Sequence, residues 1–363
     1  MSETAPRSRI APAKVTLNDV ATLAGVDRSV VSRVINQDPN LNIRPQTRQR
    51  VLETIEKLGY RPNAAARSLR TSRAFMFGLF IPDFANPVYA EIIKGAEMAA
   101  GSLGYGLMTA SSVGVRLARQ HYIDLLAQGR VDGLLFAGDE SGHELEQFRA
   151  LRLPWVLVNR RVDGSRRYVI LDDERGSRIA VEHLIGLGHR RIAHLAGPET
   201  ADTARRRRAG YMAAMSAAGL PADPRLIAHA DYTPAGGTAA MSALMSRDER
   251  PTAVLVANVA SAVGALHAAY EMGLSVPADV SVIAIHDMPL ASHLVPALTT
   301  VRMPLSELGR RAIEMIATRA PEDDITEIVT EPVEVILRNS TAPPGTNPLS
   351  RTDNGASSRS SVI

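Results

Sequence analysis

The 363-residue chain contains no cysteine. That excludes disulfides, thiolate metal sites and cysteine nucleophiles, and it suits a reducing compartment. Long hydrophobic runs are also missing. No segment approaches the roughly eighteen uninterrupted apolar residues of a membrane span, and the first thirty residues hold no apolar stretch of signal-peptide type. The expected location is the cytoplasm, with no membrane partner. Catalytic signatures are absent too: the chain has no G-x-S-x-G elbow, no Walker A loop and no H-E-x-x-H pair. The expectation is therefore a non-enzyme with no cofactor and no metal site. The Ser- and Pro-rich C-terminus lacks a heptad repeat that would support a tetramer.

What is present is unevenly distributed. Residues 1–73 carry 13 of the 41 Lys and Arg residues but only six of the 38 Asp and Glu. A net charge of +7 thus sits in the N-terminal fifth, while the remaining 28 basic and 32 acidic residues leave −4. A small basic module ahead of a mildly acidic larger one is an electrostatic footprint for nucleic acid. The two ends, 1–14 and 342–363, are rich in Pro, Ser, Arg, Asn and Gly and too poor in apolar residues to build a core, so both read as disordered tails.

Between residues 15 and 62 the pattern is helical. Thr16 followed by Asp19 is a helix-start signature, and Leu17, Val20, Ala21, Leu23 and Ala24 recur at helical spacing until Gly25. After the turn, Asp27 can cap a second helix in which Val30, Val31, Val34 and Ile35 form the buried side and Arg28, Ser29, Ser32 and Arg33 stay exposed. Two short helices joined by a Gly-containing turn make a helix-turn-helix, whose second helix enters the major groove. There Arg can donate a fork of hydrogen bonds to guanine and Ser can contact bases or phosphate. A third helix follows, with Val51, Leu52, Ile55 and Leu58 on one face; Thr47, Arg48 and Arg50 near its start suit phosphate contacts.

From Phe75 short apolar runs such as FMFGLFIPD, VDGLLFAG, WVLVNRR, TAVLVAN and VSVIAIHD alternate with amphipathic stretches. Near-continuous apolar strands separated by helices imply parallel sheets covered on both faces.

The strings VTLNDVATLAGV, SVVSRVIN, TRQRVLETIEKLGYRPNAAARSLRT, IPDFANPVYAEIIKGAE, EHLIGLGHRRIAHLAGP and VPADVSVIAIHD, in this order, resemble the successive signatures of LacI/GalR bacterial transcription regulators. The resemblance runs from about residue 15 to 341. It implies an all-α helix-turn-helix DNA-binding head, 15–62, and a hinge helix and linker, 63–74. It also implies an α/β core, 75–341, similar to periplasmic binding proteins, of two doubly wound parallel-sheet subdomains. The first would take about 75–161 and 289–320, the second about 162–288 and 321–341, with crossings near 159–164, 287–291 and 320–325. The expected activity is repression of transcription by a homodimer on a pseudo-palindromic operator, controlled by a small-molecule effector, a sugar or other metabolite.

Site residues follow from the same resemblance. For DNA they are Thr16, Leu17, Arg28, Ser29, Val30, Ser32, Arg33, Asn36, Thr47 and Arg48 in the head, and Asn63, Ala66, Arg67 and Leu69 in the hinge. Leu69 corresponds to the family leucine that wedges between base pairs, and the alanines let helix and duplex approach closely. For the effector they are Tyr89, Asn159, Thr203, Arg207, Tyr232, Asn258 and His286. Two departures stand out. The segment between Asn36 and Thr47 is two residues longer than the common family pattern. Asn159 and His286 stand where sugar-binding relatives often carry carboxylates, and Val259 replaces a common acidic residue, which leaves fewer acceptors for sugar hydroxyls. His286 thus reads as a contact for an anionic or nucleobase-like ligand, or as a core histidine.

Overall fold

The structure is a computed structural model; it describes residues 15–36, 38–61, 68, 71, 73–111, 128–138, 153–220, 223–320 and 322–345. The chain divides into two compact units, Met1–Arg73 and Ala74–Ile363.

In the first unit, α1 (Leu17–Ala24) begins with a closed capping box. The Thr16 hydroxyl accepts from the Asp19 backbone N–H at 3.3 Å, and the Asp19 carboxylate accepts from the Thr16 N–H at 2.7 Å. Gly25 ends the helix at φ 60°, a left-handed conformation that favours glycine. Asp27 then caps α2 (Arg28–Ile35), accepting from the Ser29 N–H at 2.7 Å. Pro45 opens α3 (Pro45–Leu58), where the missing N–H costs no helical hydrogen bond, and Gly59 closes it. Val20, Ala21, Ala24, Val31, Val34, Leu41 and Val51 form the buried core of this unit. With so few buried side chains, each cap, at about 1 kcal/mol, is a sizeable part of its stability.

Two expected core positions are exposed instead: Leu23 by 53% and Leu52 by 44%. On α3 the buried turn is completed by Thr54, whose hydroxyl donates to the Arg50 carbonyl at 2.8 Å and so brings its polar atom inside satisfied.

The second unit holds two six-stranded sheets. The strands are β1 (Met76–Ile81), β2 (Gly106–Ser111), β3 (Gly133–Phe136), β4 (Trp155–Val158), β5 (Arg167–Leu171), β6 (Ile192–Ala196), β7 (Ile227–His229), β8 (Ala253–Val256), β9 (Ser281–Ile285), β10 (Thr299–Arg302), β11 (Ile325–Val329) and β12 (Glu334–Ile336). The first sheet has the order β11-β5-β4-β3-β1-β2 and is parallel throughout. The second has the order β12-β10-β9-β8-β6-β7; only the β10–β12 edge pair is antiparallel. The helices described are α4 (Val88–Ser102), α5 (Asp173–Gly186), α6 (Asp202–Ala217), α7 (Pro234–Met245), α8 (Val259–Glu271) and α9 (Leu305–Thr318).

The chain passes between the sheets at other places than the sequence suggests. β5 and β11 pair with each other in the first sheet, in register from Ile325↔Arg167 to Val329↔Leu171, and β10 belongs to the second. The passages therefore fall at Asp172, between Arg302 and Leu305, and between Val329 and Glu334. The expected subdomain limits, which placed 162–171 and 321–329 in the second lobe and 289–302 in the first, are corrected accordingly. The physical reason is that Pro-, Gly- and Asp-rich loops mark strand ends without saying which sheet the next strand joins. The expected C-terminal tail also begins later than 342: the Ala342 carbonyl accepts from His189 Nε2 at 2.9 Å and from the Ser281 hydroxyl at 3.0 Å.

Candidate effector cleft and nucleic-acid interface

Parallel strands leave their carboxyl ends open, and ligands in such sheets collect there. Here the carboxyl ends of β1 and β4 from the first sheet and of β6, β7, β8 and β9 from the second surround one cavity of about 350 Å³. All seven residues expected at the effector site, Tyr89, Asn159, Thr203, Arg207, Tyr232, Asn258 and His286, line it.

The floor is built on a buried ion network that sequence reasoning missed. Arg207, 3% exposed, donates from Nε to Asp173 Oδ1 at 2.7 Å, from Nη1 to the Ala257 carbonyl at 2.7 Å and from Nη2 to His286 Nε2 at 2.9 Å. Asp173, fully buried at the start of α5, also receives Arg206, which in turn binds Asp202 at 2.9 Å. Burial by itself would raise the Asp173 pKa, but Arg206 and Arg207 hold it below the usual carboxylate range. Asp202 also accepts from the Arg161 backbone N–H at 2.9 Å, tying the loop after β4 to α6. The one available signal was the RRRR run itself. Its second and third residues, Arg206 and Arg207, fall on a buried helix face, and buried guanidinium groups require a carboxylate.

His286 is fully buried and, by burial first and Arg207 second, has its pKa pushed down to about 3. It is therefore neutral, and because Nε2 accepts from Arg207 the ring proton resides on Nδ1, which has no partner. Asn159, 5% exposed, likewise has its Oδ1 without a partner. The Tyr232 and Thr203 hydroxyls share a hydrogen bond of 2.9 Å, and the Arg207 guanidinium lies 5.9 Å from the Tyr232 ring centre.

Asn258 is differently employed: its Oδ1 caps α8 through the Ser261 N–H at 2.8 Å, and its Nδ2 donates to the Tyr232 carbonyl at 3.1 Å. It positions Tyr232 and has little left for a ligand. Asn159, Tyr232 and His286 all have left-handed backbone, at φ 62°, 66° and 71°. Phe75 is the only other non-glycine among the described residues to do so. Such conformations cost on the order of 1–3 kcal/mol each and persist where surrounding structure enforces them. Asp83, Asn86, Arg160 and Asp231 line the cavity as well and were not anticipated. They lie in the loops that follow the strands, where apolar periodicity is silent.

In the first unit, Arg28, Ser29, Ser32, Arg33 and Asn36 occupy α2 and its end as expected, while Leu17 and Val30 are half-buried against the core. The side chains of Ser29, Ser32, Arg33 and Asn36 have partners within the protein. The Ser29 hydroxyl donates to Asp27 at 2.5 Å, Asn36 Nδ2 donates to the Ser32 carbonyl, and Arg33 is held by Asp38 at 2.8 Å and by the Asn40 carbonyl at 3.0 Å. Thr16 is committed to its capping box. Arg50, read as a phosphate contact, donates instead to the Ala24 carbonyl at 2.9 Å, clasping the end of α1. Thr47 and Arg48 sit in the first turn of α3, whose start has no side-chain cap. Asn63, Ala66, Arg67 and Leu69 lie outside the described residues; Ser68 and Thr71 beside them have helical backbone.

No helix among the described residues is long and apolar enough to cross a membrane. No group of three or more His, Asp or Glu side chains among them is placed to hold a metal ion.

Comparison with known proteins agrees with both units. Residues 16–63 match the family described as bacterial regulatory proteins, lacI family, and residues 181–341 match a periplasmic binding protein-like domain. The ribose operon repressor of Escherichia coli (strain K12) is 35% identical over 331 residues, covering 90% of this chain and 99% of its own. Catabolite control protein A of Priestia megaterium is 34% identical over 333 residues, covering 90% and 99%. Among solved structures, the lac repressor dimer bound to operator and the anti-inducer ONPF superposes with a TM-score of 0.78 at 28% identity, covering 91% of this chain and 99% of that one. With a helix-turn-helix head, a periplasmic-binding-protein-like body and full-length relatives at this identity, the chain belongs to the LacI family of DNA-binding transcription regulators.

Proposed function

We propose that the protein represses transcription as a homodimer on a pseudo-palindromic operator, and that a small molecule held in the cleft between its two sheets sets its operator affinity. It acts in the bacterial cytoplasm. The observation that carries this reading is the cleft: both sheets contribute strand ends to one cavity, so a ligand there has different contacts when the lobes are differently disposed. Arg28, Ser29, Ser32 and Arg33 read base edges from α2, and Asn36, Thr47 and Arg48 hold phosphates. Thr16, Leu17 and Val30 set the entry angle of that helix. Asn63, Ala66, Arg67 and Leu69 form the minor-groove hinge, with Leu69 as the wedge. The structure solved with operator and anti-inducer is that of a relative and supports the same division of labour here.

The test starts from sequence selection on random duplexes with the full-length protein. It should recover a site with two related half-sites, and Leu69→Ala should weaken binding to that site at least tenfold while leaving the melting temperature unchanged. Recovery of no preferred sequence at physiological salt would refute the operator reading; undiminished affinity in Leu69→Ala would refute the wedge.

A further inference from the structure

We propose that the effector of this protein is an acid, a small hydroxylated molecule bearing a carboxylate or phosphate group, and that this group sits against Arg207 and His286. The inference rests on the reading of the cleft as the effector site and names the chemical class that fits it.

At Arg207 and His286 the floor of the cavity offers donors; the buried acceptor left without a partner in the lining is the uncharged amide Oδ1 of Asn159. Arg207 has five N–H donors, and the hydrogen bonds to Asp173, Ala257 and His286 use three of them. His286 is fixed as the Nδ1–H tautomer by the guanidinium on its Nε2, so the nitrogen left over is a donor. A carboxylate at this position would accept paired sugar hydroxyls; a neutral imidazole held in this tautomer cannot. Position 286 has a φ of 71°, which His, Asn and Asp tolerate better than most residues. An aspartate is thus sterically admissible there, and the choice of histidine is chemical.

The surrounding charges point the same way. The buried charged side chains lining the cavity are both arginines, Arg160 and Arg207. Asp173 lies beneath Arg207 and is shared with Arg206, whose second carboxylate partner is Asp202. The two carboxylates in the lining, Asp83 and Asp231, are engaged in turns. Asp83 accepts from the Ala85 N–H at 2.8 Å, and Asp231 accepts from the Thr233 hydroxyl at 2.6 Å and the Thr233 N–H at 3.2 Å. An anionic group over Arg207 forms charge-assisted hydrogen bonds with the remaining guanidinium donors and gives His286 Nδ1–H its missing acceptor. Tyr89 and Tyr232 then supply faces and hydroxyls for the rest of the molecule.

The experiment measures binding to the full-length protein, by calorimetry at constant ionic strength, of matched compounds: D-glucose, D-glucuronate and D-glucose 6-phosphate, and D-ribose, D-ribonate and D-ribose 5-phosphate. At least one acid should bind ten or more times more tightly than its neutral parent, and whether the carboxylates or the phosphates do so tells the two sources apart. His286→Asp should remove that preference, and His286→Asn, neutral and equally at ease with the backbone, should retain it. A neutral sugar that binds as well as its acids, or no acid that binds, overturns the proposal. So does a preference that survives His286→Asp. If acids bind as expected but leave operator affinity unchanged, the ligand class stands and the regulatory reading of the cleft fails.

Discussion

Arg33 shows how a side chain can be committed in the free protein and still serve recognition. The longer segment after α2 brings Asp38 against it, and that hydrogen bond holds the Asp38 carboxyl below its usual range. Arg33 is 45% exposed and Asp38 29%, and a pair this open to solvent contributes little. A bidentate contact between Arg and guanine contributes about 1–3 kcal/mol, so operator wins the competition for the guanidinium. Asp38→Ala is therefore expected to raise operator affinity by a factor of up to ~5, as befits removal of so weak a pair, and to remove one repulsion with phosphate. Arg33→Ala should lower affinity tenfold or more. Fluorescence anisotropy on a fixed operator duplex checks both, and a loss of affinity in Asp38→Ala would mean that the ion pair positions the arginine. Asp173 presents the opposite case because nothing there is exposed. Removing the carboxylate leaves two buried guanidinium groups without it, so Asp173→Ala should cost about 3–5 kcal/mol and show as a large fall in the melting transition. A melting temperature within a degree or two of the parent would contradict that.

Helix pairing depends on a few glycines whose role is closeness. A Cβ at Gly264 in α8 would come within 1.8 Å of the Pro234 carbonyl, and one at Gly95 in α4 within 1.8 Å of the Ser306 carbonyl. Alanine gains about 1 kcal/mol of helix propensity over glycine, but overpacking costs about 1–3 kcal/mol and here the obstacle is backbone. Gly264→Ala is accordingly expected to destabilise, whereas Gly101→Ala in α4, where a Cβ meets nothing within 4 Å, should stabilise by up to ~1 kcal/mol. Denaturant midpoints of the two variants moving in the same direction would reject this account. At this scale the sequence was readable where its period was unbroken: the three head helices and their caps, and strands such as FMFGLFI and VSVIAI, lie where apolar spacing put them. The membership of β5 and β11 was not, because their paired residues, such as Arg167 and Ile325, lie far apart in sequence and leave no local trace; nor was that of β10, because its apolar run does not say which sheet it joins. For the same reason the seven cleft residues could be named only through the family resemblance, and Asp173, hidden in the ordinary helix-start LDDER, was not named at all.

At the scale of the whole second unit, buried neutral histidines make stability depend on pH in one direction. His194 in β6 is fully buried, donates from Nδ1 toward the Leu255 carbonyl at 3.2 Å, leaves Nε2 without a partner and stacks on Tyr211 at 5.3 Å. Burial pushes its pKa down to about 4, as burial and Arg207 push that of His286 to about 3. Both folded values lie below the value of about 6.5 in an unfolded chain, so on acidification the unfolded state takes up protons first. Stability is then complete above about pH 6.5 and falls as pH drops, toward 4 for His194 and toward 3 for His286. Each group contributes a slope of about 1.4 kcal/mol per pH unit while it titrates in the unfolded state alone. Asp173, held below its usual range, adds a loss of the same sign only at lower pH. Between pH 6 and 4.5 the histidines therefore dominate, and His194→Phe, which keeps the stacking partner and removes the titrating group, should flatten the dependence by about 1.4 kcal/mol per pH unit. Denaturant unfolding of the parent and variant at pH 7, 5.5 and 4.5 reads this directly: the variant starts less stable at pH 7, having lost the Leu255 hydrogen bond, and the gap narrows as pH falls. A gap that stays constant across the three pH values would show that His194 titrates alike in both states, and would remove burial as the cause of the acid sensitivity.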